Sequence, residues 1–160
     1  ILSVALREGR LQRNFQGYST HADCDLIAIG VSSIGKVANT YSQNQRDLNA
    51  YYADLDEGKL PVMRGYELNA DDVMRRQIIQ DLMCRFALEL ADYQPNFAEY
   101  FAEEIPDLQR FAAQGLIEWQ PETGSLKVTP KGRFLIRNIA MIFDYYLRHK
   151  ETKAKYSQTV

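Results

Sequence analysis

A short segment near the start of the chain, residues 13–20, combines residue types that suit the wall of a ligand cavity. It has neither the alternation of a strand nor the three-to-four spacing of a helix. Phe15 offers apolar contact, Gln16 an amide that donates and accepts hydrogen bonds, and Gly17 an accessible backbone. The sequence therefore predicts a ligand-binding segment here, with a plain surface loop as the alternative.

A second candidate is the glycine-rich run 30–36, which matches the first seven positions of a phosphate-binding P-loop. The eighth position should be Ser or Thr to hold Mg²⁺, but it is Val37. The residues that follow are mostly poor helix formers, whereas the phosphate needs a helix N-terminus. We therefore predict a turn that closes a buried strand rather than a nucleotide triphosphate site. Its glycines would still let the backbone approach another ligand.

Metal ligation and nucleophilic catalysis find little support in the residue types. The two cysteines, Cys24 and Cys84, lie far apart and form no CxxC pair. The two histidines, His21 and His149, have no carboxylate or cysteine partners at ligand spacing. We therefore predict no catalytic residue and no metal ligand within this chain, and a reduced, cytoplasmic setting.

Charge and hydropathy argue against nucleic-acid and membrane partners. Nineteen basic and 21 acidic residues give a net charge of -2 over 160 residues, whereas nucleic-acid binding relies on clustered positive charge. The longest apolar run, residues 26–31, is far shorter than the ~20 residues of a membrane span. A basic C-terminal stretch, residues 131–155, is interpreted as a solvated helix face around Asp144, with attraction of an anionic substrate or partner as the alternative.

The elements that must position these residues fall into two predicted parts, 1–43 and 44–160. In the first part, a helix tail ends near Gly9, and residues 25–30 are nearly all apolar, as expected of a strand buried on both faces. The second part reads mostly helical, so the fold class is α+β, mainly α.

Within the second part, the pattern predicts a helix over 44–55, a strand over 62–68 and a long helix capped by Asn69. Two shorter helices, 95–101 and 105–114, precede a β-hairpin over 117–128, and a final helix runs from Pro130 to about His149. Three helices, a hairpin and a further helix resemble a winged helix. The helix before the hairpin lacks a basic stripe, so a packing module is favoured over a DNA-binding one.

The chain resembles the oxygen-independent coproporphyrinogen III oxidases. The resemblance rests on three runs in the first part, 14–20, 25–34 and 41–44, together with Arg64-Gly65, Val128 to Arg133 and Leu135 to Ile139. It covers nearly the whole chain, and its most specific motif is Asn14 to Tyr18.

That family is similar in kind to other radical S-adenosylmethionine (SAM) enzymes. The resemblance implies a [4Fe–4S] cluster on a CxxxCxxC motif in a partial TIM-like barrel, followed by a mainly helical C-terminal domain. It implies oxidative decarboxylation of two propionates to vinyl groups, giving protoporphyrinogen IX. It also implies that Phe15, Gln16, Gly17 and Ile34 line the SAM cavity, and barrel sites do lie at the C-terminal ends of strands.

The CxxxCxxC motif is absent from this chain. We therefore expect a C-terminal part, with 1–43 as the end of the barrel, that is inactive alone and binds no SAM or cluster by itself. Its tetrapyrrole substrate would be reached through the missing barrel, and the parent is expected to be a cytoplasmic monomer. Two alternatives remain, a winged-helix binding module and a haem-chaperone paralogue of the same superfamily.

Overall fold

A computed structural model describes residues 1–14, 17–21 and 24–149 of the chain. The chain divides into two compact units, Ile1–Val73 and Met74–Val160. Both helices and strands contribute, so the fold is mixed α and β. The predicted domains 1–43 and 44–160 place their boundary within a strand of the first unit, and their assignment to a barrel end and a helical domain stays a prediction.

The first unit is built from two small antiparallel sheets and two helices. Its elements are α1 (Leu2–Arg7), β1 (Gln12–Asn14), β2 (Gly17–Ser19), β3 (Ile34–Val37), β4 (Thr40–Asn44), α2 (Leu48–Asp56) and β5 (Val62–Glu67). Strands β1 and β2 pair with each other, and β3, β4 and β5 form a sheet with β4 in the centre. The predicted strand over 62–68 is confirmed as β5.

The predicted helix over 44–55 begins later than expected, at Leu48. Asn44 instead ends β4, where it lies opposite Val62. The helix starts where Asp47 caps it, since its Oδ1 accepts a hydrogen bond from the Ala50 amide at 2.9 Å.

The prediction of a buried strand over 25–30 is wrong for this chain. The segment, here called the apolar loop (residues 25–33), pairs only through a bridge between Leu26 and Lys36. Ile27 and Ile29 are 68% and 83% exposed. The pattern is that of a buried strand, but among the described residues no strand pairs along its other edge, so its apolar side chains remain uncovered.

Polar groups hold the apolar loop to the sheet. Asn44 is only 4% exposed. Its Nδ2 donates to the carbonyls of Gly30 at 3.0 Å and Ala28 at 3.3 Å. The Tyr51 hydroxyl accepts from the Gly30 amide at 3.1 Å. These bonds satisfy backbone groups that the absent strand pairing leaves free.

The long helix is confirmed as α3 (Ala70–Arg85), with Asn69 as its cap. The Asn69 Oδ1 accepts from the Asp72 amide at 2.9 Å, and Asp72 Oδ2 accepts from the Asn69 amide at 3.1 Å. This reciprocal arrangement is that of a capping box.

Short helices and one three-stranded sheet complete the second unit. Its further elements are β6 (Ala87–Glu89), α4 (Leu90–Tyr93), α5 (Phe97–Tyr100), α6 (Ile105–Ala113), β7 (Ile117–Gln120), β8 (Ser125–Val128), α7 (Ile136–Ala140) and α8 (Tyr145–Arg148). The predicted hairpin is confirmed as β7–β8, and β6 pairs with the other edge of β8. A winged-helix architecture stays a prediction.

The core of the second unit includes two fully buried rings. Phe101 and Phe143 meet edge to face with centroids 5.7 Å apart. Beside them lies a buried ion pair, with Arg75 Nη1 2.7 Å from Glu104 Oε1. On the helix α3 and strand β6 side, the hydroxyl of Tyr93 donates to the Asp81 carboxylate.

The prediction of one continuous final helix is wrong. The region is broken into two 3₁₀ turns, Gly132–Leu135 and Met141–Phe143, and the short helices α7 and α8. Gly132 lies so close to the preceding hairpin that a Cβ there would fall 1.9 Å from the Leu116 carbonyl oxygen. Asp144 has an extended ψ of 97° and caps α8 by accepting from the Leu147 amide at 3.0 Å. Packing and a second cap thus interrupt the periodic sequence.

Phe86 joins α3 to β6 in a left-handed conformation, with a φ of 62°. Its amide donates to the Leu82 carbonyl at 3.2 Å, and its carbonyl accepts from the Val128 amide at 2.8 Å. The guanidinium of Arg133 lies over its ring, 4.7 Å from the centroid.

Candidate functional site

One face of the β3–β4–β5 sheet collects most of the polar and aromatic side chains of the first unit. Residues directly opposite one another in antiparallel strands share a face. The register places two rows across the three strands, the first being Ile34, Gln43 and Arg64 and the second Lys36, Tyr41 and Tyr66. Ile34, the apolar residue that the family resemblance assigns to the SAM cavity, therefore lies beside an amide and a guanidinium.

These rows line an open cleft of about 340 Å³. Its walls offer one aliphatic side chain, two phenol rings, an amide and a guanidinium, from Ile34, Tyr41, Tyr66, Gln43 and Arg64. Ligand sites commonly combine an apolar surface with a few polar groups in this way. The arrangement suits a ligand that has a flat apolar body and a hydrogen-bonding or anionic group.

Gln43 organises the polar end of the cleft. Its Nε2 donates to the Ser32 carbonyl at 3.1 Å, which fixes the direction of the amide. Its Oε1 accepts from Arg64 Nε at 2.9 Å and from Arg46 Nη2 at 3.4 Å. The two arginine side chains therefore converge on one neutral oxygen.

The β1–β2 hairpin carries the other predicted binding residues. Phe15 and Gln16 lie outside the described residues. Gly17 begins β2 with a φ of 135°, a conformation that favours glycine, and its amide donates to Asn14 Oδ1 at 3.1 Å. A Cβ at Gly17 would meet nothing within 4 Å, so it is the backbone that calls for glycine here.

A smaller cavity of about 170 Å³ lies between the hairpin and the sheet. Asn14 and Ser19 line it from the hairpin, and Lys36 and Tyr41 from the sheet. Tyr41 also lines the cleft beside Ile34. Tyr41 thus connects the cavity under the hairpin with the cleft, whereas Gly17 itself lines neither.

The glycine-rich run 30–36 forms a turn and then a strand. Ser32 has a φ of 59° and Gly30 a φ of 98°, and β3 follows where a P-loop would require a helix. The prediction that this run is not a nucleotide triphosphate site is confirmed. The turn that replaces it places Ile34 at the start of β3, at the edge of the cleft.

The cysteines and histidines are dispersed. Cys24 is exposed in the first unit and Cys84 is buried in the second. Within the part of the chain that the structure describes, no group of three or more His, Cys, Asp or Glu residues could hold a metal ion. His149 stacks on the Tyr145 ring at 4.0 Å and lies 3.1 Å from Glu103, which is a surface contact.

Sequence reasoning did not assign a role to Arg46, Gln43 or Arg64. The signal that would have found them is the alternation of Tyr41 with Gln43 and of Arg64 with Tyr66 along two strands. The prediction of a helix from Asn44 obscured the strand ending there, and without that strand the cross-strand rows cannot be drawn.

The comparisons with known proteins give the chain a class. The family described as the HemN C-terminal domain matches residues 68–135. The solved coproporphyrinogen III oxidase (HemN) of Escherichia coli, described as a radical SAM enzyme, is similar with a TM-score of 0.83 at 45% identity, over 91% of this chain and 34% of that chain.

Curated relatives identify the particular enzyme. Oxygen-independent coproporphyrinogen III oxidases of Pseudomonas aeruginosa and Escherichia coli K12 are 47% and 44% identical, over 91% and 99% of this chain. The chain matches the C-terminal region of these oxidases, which confirms the resemblance found in the sequence. It spans about a third of their length, 32% and 35%.

None of the helices in the described part of the chain is both long and apolar enough to cross a membrane.

Proposed function

We propose that this chain is the C-terminal part of a radical SAM enzyme that converts coproporphyrinogen III to protoporphyrinogen IX by oxidative decarboxylation. The observation that carries the proposal is the 44% identity to an enzyme of that name over 99% of the chain. The winged-helix binding module and the haem chaperone gain no comparable support, since the relatives reported above are named as oxidases.

The exposed apolar loop supports the proposal. Ile27 and Ile29 lie in water in this chain, although the segment has the composition of a strand buried on both faces. A barrel supplied by the rest of the parent would pair with the free edge of this segment and cover its side chains. Burying both isoleucines would contribute roughly 3–6 kcal/mol to the association of the two parts, at about 1.5–3 kcal/mol per side chain.

The residues of this chain do not fit the [4Fe–4S] cluster, since such a cluster needs several neighbouring thiolates and the two cysteines lie in different units. The cluster and SAM, which together supply radical chemistry in this class, would be held largely by the rest of the parent. No chemical step is therefore assigned to side chains of this chain.

The role left to this chain is to form one wall of the cofactor and substrate space. Ile34 would give apolar contact to SAM, with Tyr41 and Tyr66 extending that wall along the cleft. Phe15, Gln16 and Gly17 would approach the cofactor from the hairpin. Each of these contacts excludes water from a ligand that must be held in one orientation.

The compartment and the assembly of the parent follow the same proposal. We expect a cytoplasmic monomer whose substrate, the tetrapyrrole, enters through the barrel and whose partners include neither nucleic acid nor membrane.

The decisive experiment begins with the gene that encodes the chain. The coding sequence upstream should contain a CxxxCxxC motif, and the longer protein, purified and reconstituted without oxygen, should form protoporphyrinogen IX from coproporphyrinogen III in the presence of SAM and a reductant. A variant with the three motif cysteines changed to serine should be inactive, as should the 160-residue chain. Stoichiometric haem binding by the longer protein without decarboxylation would instead establish the chaperone alternative.

Two substitutions in the longer protein test the wall. Ile34→Ala should weaken SAM binding through lost apolar contact, whereas Val37→Ala, on the opposite face of the same strand, should leave SAM binding unchanged. Gln16→Ala should weaken SAM binding or turnover with a nearly unchanged melting temperature. A fall of many degrees with intact SAM affinity would show that Gln16 supports the fold.

A further inference from the structure

Two positive charges meet at one neutral oxygen beside the cleft. Arg64 Nε lies 2.9 Å and Arg46 Nη2 3.4 Å from Gln43 Oε1. A second donor bond, from Gln43 Nε2 to the Ser32 carbonyl, prevents the amide from turning its nitrogen toward the arginines. The amide therefore presents its oxygen to both guanidinium groups.

No carboxylate neutralises this pair. Among the residues that the structure describes, neither Arg46 nor Arg64 has a carboxylate oxygen within 4.0 Å. Asp72, the carboxylate nearest along the cleft, accepts from the Tyr66 hydroxyl at 3.1 Å and caps α3. Lys36 adds a third cation to the same sheet face.

The second unit offers an internal comparison. Arg110 and Arg148 also converge on one side chain, but there it is the carboxylate of Asp107, at 2.8 and 2.5 Å. That cluster balances part of its own charge and needs no ligand. The pair on Gln43 lacks such a balance, although the chain as a whole carries more acidic than basic residues.

Like charges held close together are unfavourable unless an anion lies near both. An amide acceptor fixes the Nε of Arg64 without neutralising it, and leaves the terminal nitrogens in the fork geometry that binds carboxylates. The adjoining walls, Ile34, Tyr41 and Tyr66, suit the flat or apolar body of the same ligand.

We propose that Arg46 and Arg64, positioned by Gln43, form a binding site for the carboxylate of a ligand whose heterocyclic body lies in the cleft beside Ile34. The existence of the site rests on this geometry, whereas the choice of ligand rests on the proposed function. Two ligands of the parent carry such a carboxylate on a heterocycle, namely SAM through its amino-acid group and the tetrapyrrole through its propionates.

The experiment uses the whole 160-residue chain labelled with ¹⁵N. The arginine Nε–H resonances are followed while coproporphyrin III, a stable oxidised tetrapyrrole with its propionates intact, or SAM is added. 5′-Methylthioadenosine, which lacks the carboxylate of SAM, serves as the matched probe. We expect one of the two carboxylate probes to shift the Arg46 and Arg64 signals, with 5′-methylthioadenosine leaving them unmoved.

Variants separate a binding role from a structural one. Arg64→Gln and Arg46→Gln should each weaken binding of that probe about tenfold or more, the effect of one charge-assisted hydrogen bond. Arg137→Gln, which removes an exposed charge from the second unit, should have no effect. Gln43→Glu should abolish binding without lowering the melting temperature, because the new carboxylate occupies both arginines internally.

Several outcomes would overturn the site. These are the absence of any arginine shift with either probe at millimolar concentration, equal shifts with 5′-methylthioadenosine, or undiminished binding in Gln43→Glu. None of these measurements requires decarboxylation, so an inactive parent would contradict the proposed function and leave the site standing. The probe that responds identifies the source of the carboxylate.

Discussion

The buried ion pair of the second unit allows one substitution to be worked through in detail. The side chains of Arg75 and Glu104 are 9% and 3% exposed, and their charged atoms lie 2.7 Å apart. Arg75 also donates to the Phe143 carbonyl at 3.4 Å, and its guanidinium lies over the rings of Phe101 and Tyr145 at 5.3 and 5.6 Å. Arg75→Met keeps much of the apolar volume but removes the cation.

The expected loss of unfolding free energy is about 3–5 kcal/mol, since Glu104 is left buried without its cation. The double variant Arg75→Met/Glu104→Leu should recover most of that loss, because an apolar pair of similar volume avoids the desolvation of both charges. The single substitution is therefore expected to be more damaging than the double one.

Urea unfolding followed by circular dichroism measures all three proteins on the same scale. Lys59→Met is the matched control, since Lys59 pairs with Glu57 at 2.6 Å but both side chains are more than 60% exposed, at 66% and 62%. Its effect should lie within about 1 kcal/mol of zero. A loss in Arg75→Met no larger than in the control, or a double variant less stable than the single one, would refute the reasoning.

Three further substitutions test other parts of the fold. Gly132→Ala should lower the urea midpoint by the equivalent of roughly 1–3 kcal/mol, because its Cβ would fall 1.9 Å from the Leu116 carbonyl oxygen and the backbone must move; an unchanged midpoint would show that this approach is easily relaxed. Asn44→Ala should speed amide hydrogen exchange in the apolar loop, whose carbonyls lose their donor; unchanged exchange would show that the loop holds itself. Burial, and then the hydrogen bond to Asp81, raise the pKa of Tyr93 above its ordinary 10.0, so stability should fall as the pH rises past about 10, where only the unfolded chain ionises this tyrosine. Tyr93→Phe should flatten that part of the stability profile, and an identical slope in both proteins would contradict the pKa assignment.

Local signals in the sequence were enough for several elements. Asn69 lies at the start of α3 because a side-chain acceptor and an acidic first turn satisfy the helix from within a few residues. The β7–β8 hairpin follows from alternation on both sides of a short turn, and both of its strands lie where the pattern put them. Neither element depends on distant parts of the chain for its position.

The elements that sequence reasoning missed depend on distant contacts. Strands β3 and β4 are short, polar and rich in small residues, and they become a sheet only because β5, some twenty residues further on, pairs with β4. The break of the final helix depends on the carbonyl of Leu116 against Gly132, which the periodicity of the helix cannot reveal.

The candidate site divides in the same way. Ile34 was assigned through the family resemblance, and its position at the cleft adds a physical setting to that assignment. The arginine pair required the register of three strands, since Gln43 and Arg64 are 21 positions apart in sequence. A sequence without an alignment holds no signal for such a pairing.

The left-handed Phe86 ties the identity of one residue to that of another far along the chain. A glycine at this position would relieve roughly 1–2 kcal/mol of backbone strain, whereas an aromatic ring under Arg133 contributes about 0.5–2 kcal/mol. Because the two contributions are of similar size, glycine at 86 with any residue at 133 and phenylalanine at 86 with arginine at 133 are nearly equivalent solutions. Phenylalanine without the arginine, or a β-branched residue in its place, satisfies neither requirement. Exchange between the two solutions during evolution is therefore expected to change position 86 before position 133 is released from arginine.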